Sequence, residues 1–321
     1  MPLSRAELGF VLVCGAGSAT GLGAAVVFSE RLVKLASKRF LAGSLGLSAG
    51  VMLYVSFAEI LVKSQLAFEA SSALGPGDGY TAATVSLFAG MALMALLDVA
   101  VHALDPNHDH DHGASAVAKG GGLDDAAFER VDAGALSAAT GGPGKELAVV
   151  NALAGAESGD VSAADLTADA GLRRMGVMTA LAIGIHNLPE GLATFVATLD
   201  DPAVGAALAV AIAIHNVPEG LCVSIPIYFS TGDRWLAFRW AILSGISEPI
   251  GALLGWWILK DHFNDMLYGI VFGVVAGMMV MICLNELFPT AHRYDPTDRV
   301  VTKAAVAGMA VMALSLVLFV Y

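Results

Sequence analysis

Long apolar stretches alternate with short polar segments along the chain, and this pattern predicts helices that cross a membrane. A membrane-spanning helix needs about 20 mostly apolar residues. Eight stretches meet this length, the last of them only marginally. They are residues 8–28, 40–62, 80–104, 175–198, 203–228, 237–259, 266–288 and 302–321. We therefore predict an all-α membrane protein with eight transmembrane helices.

The composition agrees with a membrane location. Of the 321 residues, 56% are hydrophobic and 14% are charged, whereas soluble domains are roughly 45–50% apolar and about 25% charged. The formal net charge of −12 is concentrated in residues 105–172, which hold 12 of the 29 carboxylates. We interpret this Gly-, Ala- and Ser-rich segment as a disordered acidic loop. It separates three helices in residues 1–104 from five helices in residues 173–321.

The basic residues predict the orientation of the chain. If the N-terminus lies outside, 14 of the 17 Lys and Arg residues fall on the cytoplasmic side, which is where such residues accumulate. Both termini are then exoplasmic. The alternative is that the first apolar stretch is a cleaved signal peptide. That reading would place the four cations that follow this stretch outside, against the rule.

Few ionisable side chains lie within the predicted spans. Each costs at least about 3 kcal/mol at bilayer depth, so each is a candidate functional residue. They are Glu59, Asp98, His102, His186, Glu190, His215, Glu219, Glu248 and Glu286.

Four of these residues belong to a repeated motif. Residues 185–191 read IHNLPEG, and residues 214–220 read IHNVPEG. In each copy the His and the Glu are four residues apart, so a helix places them on one face with the Asn beside them. The Pro in each copy removes a backbone hydrogen bond and leaves a carbonyl oxygen available at membrane depth.

Imidazole nitrogen, carboxylate oxygen and amide oxygen together suit a divalent cation such as Zn²⁺, Fe²⁺ or Mn²⁺. The alternative is a hydrogen-bonded polar cluster that only holds helices together, but such a cluster would not need two equivalent copies. We therefore predict a metal site formed by His186, Asn187, Glu190, His215, Asn216 and Glu219. Glu248 lies 29 residues after Glu219, the same interval that separates the two motifs, and it also precedes a proline. It adds a third carboxylate to the same polar path.

A second repetition links the second and seventh predicted spans. Residues 49–59 read AGVMLYVSFAE and residues 276–286 read AGMMVMICLNE, with Ala, Gly, Met and Glu in register. This places Met52 and Glu59 on one helix face. The two spans run in opposite directions in the predicted topology, so the repetition favours an inverted repeat, with a substrate site near the midplane. Chance similarity between Ala- and Gly-rich helices is the alternative.

These motifs resemble those of the ZIP (Zrt/Irt-like) metal transporters, most closely the ZupT and GufA-type branch. The resemblance covers all eight spans. It implies transport of Zn²⁺, and often of Fe²⁺, Mn²⁺ or Cd²⁺, into the cytoplasm. It also implies a two-site metal centre on spans four and five, supported by spans two and six. That centre comprises His186, Asn187, Glu190, His215, Asn216, Glu219 and Glu248, with Met52 and Glu59 beside it.

Such a protein is expected to be a transporter and not an enzyme. Its metal is a substrate, so no cofactor is expected, and its partners are divalent ions and the lipid bilayer, without nucleic acid. Whether the protein forms a homodimer is left open by the sequence. The membrane is the plasma (inner) membrane, or an organelle membrane in a eukaryote. The competing function is that of a membrane-embedded zinc hydrolase, but the protease motif H-E-x-x-H does not occur in the sequence.

The predicted loop contains a run of histidines. Residues 107–113 read NHDHDHG, a composition that can bind metal weakly. We interpret it as a segment for metal capture or sensing that transport does not require. The alternative is a solvated acidic loop.

Overall fold

The computed structural model describes residues 3–71, 75, 77–103, 184–259 and 264–319. These residues form helices and no strands, which confirms the prediction of an all-α membrane protein. The predicted acidic loop and its histidines lie outside the described residues. The division of the chain at this loop therefore stays a prediction.

Twelve helices are numbered here in chain order, and some of them join end to end within one span. They are α1 (Arg5–Ala24), α2 (Glu30–Leu35), α3 (Lys38–Val55), α4 (Leu61–Ala70), α5 (Asp78–Ala103), α6 (184–200), α7 (Pro202–Thr231), α8 (Arg234–Gly245), α9 (Ser247–Leu259), α10 (Asp265–Ile282), α11 (Phe288–Tyr294) and α12 (Val301–Phe319).

Seven helical segments in the described part of the chain are long and apolar enough to cross a membrane. The fourth predicted span corresponds to α6, which is described only from residue 184. The count of eight spans and the exoplasmic termini therefore stay predictions.

Several of the helices begin at side chains that satisfy free backbone N–H groups. The Ser4 hydroxyl accepts from the Glu7 amide while the Glu7 carboxylate accepts from the Ser4 amide, which is a capping box. The side chains of Ser37, Asp233 and Asn264 cap α3, α8 and α10 in the same manner. Capping residues such as these are readable in the sequence because their short polar side chains reach the first-turn amides.

The two segments that repeat in sequence also repeat an uncommon helical turn. A π-helical turn at Ser56–Ile60 joins α3 to α4, and another at Cys283–Leu287 joins α10 to α11. Each turn holds the Glu of its repeat, Glu59 or Glu286, in a largely buried position. Because π turns are rare and occur often at functional sites, this match supports the inverted repeat over chance similarity.

The sixth predicted span is interrupted in the structure. The sequence predicts one helix over residues 237–259, but α8 ends at Gly245 and α9 begins at Ser247. Pro249 has no amide hydrogen to donate to the Gly245 carbonyl, so the regular helical ladder is broken at this point. The break lies next to Glu248, the third predicted carboxylate.

Paired glycines let the long helices cross at short distance. A Cβ atom on Gly50 of α3 would overlap the Ala305 carbonyl oxygen of α12, and one on Gly308 would overlap the Leu47 carbonyl oxygen of α3. Small residues at such crossings allow helix backbones to approach closely in membranes. Gly50 lies in the first of the two repeated segments.

The second repeated segment makes an equivalent crossing. A Cβ atom on Gly277 of α10 would overlap the Leu87 carbonyl oxygen of α5, and one on Gly90 would overlap the Val274 carbonyl oxygen of α10. Gly277 occupies the same place in its segment as Gly50 does in the first. The two repeated segments therefore share a close helix crossing at glycine as well as a similar sequence.

The α3–α12 crossing predicts the effect of adding one methyl group. Gly50→Ala should destabilise the protein by about 1–3 kcal/mol, because the methyl group meets backbone that cannot move aside. Gly43→Ala on the same helix is the matched control, since a Cβ there meets no atom within 4 Å and alanine favours the helix. Thermal unfolding in detergent should show a lowered transition for Gly50→Ala only. Equal transitions for the two variants would contradict the close crossing.

Candidate metal centre

The two HNxPEG motifs lie on neighbouring antiparallel helices that form a tight hairpin. Only Asp201 separates α6 from α7, and its carboxylate accepts from the Ala203 amide to cap α7. Gly205 faces Thr198 of α6 so closely that any side chain there would overlap it. This short turn places both motifs in the interior of the helix bundle, and the helices continue through Pro189 and Pro218.

The His and Glu side chains pair between the two helices. Nε2 of His186 on α6 lies 3.2 Å from Oε1 of Glu219 on α7. In the reverse direction, Nε2 of His215 on α7 lies 3.0 Å from Oε1 of Glu190 on α6. All four side chains are at most 2% exposed. The two motifs therefore form one buried cluster with matched contacts in both directions.

Three of these residues are close enough to share one ion. Ligand atoms of His186, Glu190 and Glu219 all lie within 4.8 Å of one another. Zn²⁺ holds such nitrogen and oxygen ligands at about 2.0–2.2 Å, so two ligands of one ion lie at most about 4.4 Å apart. A small inward movement of the side chains would bring all three ligands within reach of one ion.

The hydrogen bonding of His215 indicates which ring nitrogen faces the cluster. Its Nδ1 lies 3.2 Å from the Ala211 carbonyl oxygen, which can only accept, so we assign the hydrogen to Nδ1. Nε2 then faces the Glu190 carboxylate at 3.0 Å. When no metal ion is bound, this contact requires a proton between the two acceptors. A metal ion between them would take the place of that proton.

Asn216 joins the third carboxylate to the cluster. Its amide nitrogen donates to Oε1 of Glu248 and to the Ala16 carbonyl oxygen of α1. The equivalent Asn187 amide lies 3.5 Å from the Ser244 carbonyl oxygen of α8. Glu248, Asn187 and Asn216 are fully buried. The amide groups thus connect the α6–α7 cluster to helices on either side.

Several polar atoms of the cluster have no hydrogen-bond partner among the described residues. They are Oε2 of Glu190, Oε2 of Glu248, Oδ1 of Asn216 and both ring nitrogens of His186. Leaving buried polar atoms unpaired is costly, and native structures contain few of them. Three of the five are oxygen acceptors, which suits a cation as the missing partner.

Comparison with known sequences identifies the family of this chain. The sequence pattern of the family described as "ZIP Zinc transporter" matches residues 4–316. The chain belongs to the ZIP family. The resemblance found in the two HNxPEG motifs is thereby confirmed over nearly the whole length.

Bacterial proteins named zinc transporter ZupT are similar to this ZIP chain over almost all of its length. The relative from Oceanobacillus iheyensis is 40% identical over 311 residues, which cover 97% of each chain. Those from Lysinibacillus sphaericus and Nitratidesulfovibrio vulgaris are each 42% identical and cover 98% and 97% of both chains, respectively. The family and its named relatives are transporters, so the hydrolase alternative has no support.

Met52 and Glu59 of this ZIP chain have surroundings that differ from those of the His and Glu cluster. Met52 is fully buried in the hydrophobic core. Glu59 lies 3.9 Å from Lys63, whose ammonium group is 3.1 Å from the Asp200 carboxylate at the end of α6. Glu59 is therefore directed to an ion-pair network at that end of the helix, and the role of both residues in metal binding stays a prediction.

Sequence reasoning did not find the reason for the glycine that ends each motif. A Cβ atom on Gly191 would overlap the Glu248 carbonyl oxygen, and one on Gly220 would overlap the Thr20 carbonyl oxygen. Gly251 of α9 lies close to the backbone of α6 near Gly191. Gly23 of α1 lies close to the backbone of α7 near Gly220. The repeated glycines therefore bring α6 against α9 and α7 against α1 at the level of the cluster.

Two polar contacts outside the cluster were also missed. The Arg5 guanidinium donates to the carbonyl oxygens of Leu199 and Asp200 at the end of α6, which stabilises free carbonyl groups there. Asn285 donates to the Asp98 carboxylate at 2.8 Å. Asp98 and His102 are four residues apart in the sequence, but the partner of Asp98 on another helix is not visible in the spacing of residues along one helix.

Proposed function

We propose that this ZIP chain transports Zn²⁺ and other divalent metals across the membrane into the cytoplasm through the α6–α7 cluster. The observation that carries the proposal is the pair of buried contacts that join His186 to Glu219 and His215 to Glu190. Two imidazoles and two carboxylates meet where no bulk water can solvate them. Such an arrangement is costly as a purely structural device and matches the ligand preferences of Zn²⁺.

The charge of the cluster supports a divalent cargo. Glu190, Glu219 and Glu248 are all buried at membrane depth. A dication offsets two of the three negative charges, whereas a neutral solute would offset none. The mixed nitrogen and oxygen ligands also accept Fe²⁺, Mn²⁺ and Cd²⁺, so we expect modest selectivity.

The arrangement supports two neighbouring ion positions. His186, Glu190 and Glu219 form the first, with His215 beside them. Asn216 and Glu248 lie against the first group and supply two further oxygen ligands for the second, together with Asn187 from the other motif. Met52 and Glu59 complete the proposed set on the path to these positions.

The proposed direction, into the cytoplasm, is what the resemblance to the ZIP metal transporters implies, and the charge asymmetry between the loops supports the orientation of the chain. Most Lys and Arg residues fall in loops on one side of the predicted topology, and that side is the cytoplasm under the positive-inside rule. The relatives are bacterial, which favours the plasma membrane. Every proposed ligand comes from one chain.

Uptake into liposomes tests the proposal. Purified protein in liposomes loaded with a zinc-sensitive dye should raise the internal Zn²⁺ signal faster than protein-free liposomes do. External Cd²⁺, Fe²⁺ and Mn²⁺, added one at a time, should each reduce the rate, because they compete for the same mixed ligands. Ca²⁺ should compete poorly, since it prefers sites made entirely of oxygen ligands. A rate equal to that of protein-free liposomes would refute the proposal.

A further inference from the structure

Helices α1 and α8 cross next to the metal cluster at a reciprocal pair of glycines. A Cβ atom on Gly17 would lie 2.9 Å from the Gly245 carbonyl oxygen, and one on Gly245 would lie 2.8 Å from the Gly17 carbonyl oxygen. The crossing is therefore nearly symmetric in its backbone contacts.

The side chains at this crossing are arranged with the same symmetry. Glu248 and Thr20 each lie three residues after the glycine of their own segment. The Cδ atom of Glu248 lies 3.3 Å from the Cβ position of Gly17, and the Thr20 Cβ lies 3.3 Å from the Cβ position of Gly245. Each side chain thus fills the space that the glycine of the opposite helix leaves.

The surrounding contacts repeat the correspondence. The residue before Gly17, Ala16, receives the Asn216 amide on its carbonyl oxygen. The residue before Gly245, Ser244, receives the Asn187 amide in the same manner. The two asparagines are themselves equivalent positions of the repeated motif.

The glycines that follow extend the match. Gly23 comes six residues after Gly17 and packs on α7, while Gly251 comes six residues after Gly245 and packs on α6. The segments GSATGLG (17–23) and GISEPIG (245–251) therefore occupy equivalent places in the two halves. Thr20 stands where the other half has the Glu248 carboxylate.

The Thr20 hydroxyl has the properties of an unused ligand. It is fully buried, and its oxygen has no hydrogen-bond partner among the residues that the structure describes. A buried hydroxyl in this condition is destabilising relative to one that is hydrogen-bonded. One oxygen of Glu248, the equivalent residue, also has no partner in the described part of the chain.

We propose that Thr20 is a further residue of the metal centre, whose hydroxyl oxygen contacts the divalent cation on the side opposite Glu248. This inference rests on the proposed function. A neutral oxygen at this position completes the coordination while it keeps the number of buried carboxylates at three. A fourth carboxylate there would bind the cation more tightly and slow its release.

Replacement of Thr20 by Cys tests this contact with a change in metal preference. A thiol is close to the hydroxyl in size, and soft sulfur ligands favour the softer metal Cd²⁺ over Zn²⁺. In liposomes under reducing conditions, Thr20→Cys should raise the ratio of Cd²⁺ to Zn²⁺ uptake by about fivefold. Thr290→Cys is the matched control, because the Thr290 hydroxyl is also buried without a partner among the described residues but lies on α11.

A ratio within twofold of the native value in Thr20→Cys overturns the proposal, as does an equal rise in Thr290→Cys. If Thr20→Cys transports neither metal, a comparison of Thr20→Ser with Thr20→Val tests the proposal instead. We expect the Ser variant to keep the native KM for Zn²⁺ and the isosteric Val variant to raise it about fivefold, since only Ser retains the oxygen ligand. Equal KM values for both variants would also overturn it. Absence of uptake by the native chain would refute the proposed function instead.

Discussion

Glu190→Gln should reduce Zn²⁺ uptake by roughly 100- to 1,000-fold while the protein still inserts and folds. Glutamine keeps the volume of the side chain but removes the charge that faces His215 at 3.0 Å and that would face the cation. Loss of one partner of a buried hydrogen-bonded charge pair typically costs about 2–5 kcal/mol in binding, and each 1.4 kcal/mol is about tenfold. Initial rates of zinc uptake into liposomes measure the effect.

Glu69→Gln provides the control for this prediction. Glu69 lies on α4, where it is exposed and accepts a hydrogen bond from Gln65, so the same chemical change there should leave the rate within twofold. The Glu219→Gln variant should match Glu190→Gln, because Glu219 holds the equivalent contact with His186. Native uptake in a Glu190→Gln, Glu219→Gln double variant would refute the metal centre.

Acidification should weaken the apparent affinity for Zn²⁺ by about tenfold or more between pH 7.5 and pH 5.5. Metal ligands must be deprotonated, so protons and the cation compete for the same atoms. The contact between His215 and Glu190 needs a proton when no metal is bound, and the cation must displace that proton. The sign is therefore fixed: a higher proton concentration raises the KM. The KM of zinc uptake measured at several external pH values, with the internal pH held constant, reports this competition.

The maximal rate separates competition from damage to the protein. If protons only compete, the rate at saturating Zn²⁺ should change by less than about threefold over this range, whereas unfolding at low pH would lower it irreversibly. Return to pH 7.5 should restore the original KM. A KM that does not vary with pH would refute the competition, although the assignment to the ZIP family would stand.

The repeated motifs made much of the centre predictable. His186, Glu190, His215 and Glu219 could be selected from the sequence because ionisable residues are rare in apolar helices and because they occur twice with the same spacing. Which His pairs with which Glu could not be predicted from the sequence. Spacing along one helix places His186 next to Glu190, whereas the closest carboxylate to its imidazole is that of Glu219 on the next helix.

Glycine packing explains why the His–Glu pairs between the two helices could not be predicted from the sequence. The neighbours of α6 and α7 depend on where Gly191 and Gly220 meet backbone of α9 and α1. A glycine in the sequence of an apolar helix does not indicate which helix packs against it. The equivalence of Thr20 and Glu248 was hidden for a related reason: GSATGLG and GISEPIG share only their outer glycines, and a pair of glycines six residues apart is common in membrane helices.

The sequence by itself determined the medium, the helices and the types of ligand, because apolar length, capping residues and buried charges act locally along the chain. The tertiary structure alone decided the contacts between helices: the crossed His–Glu pairs, the link from Asn216 to Glu248 and the place of Thr20 beside Gly245. These contacts join residues up to 225 positions apart. They depend on how closely backbones approach at the glycine crossings, and that distance is a property of the packed bundle.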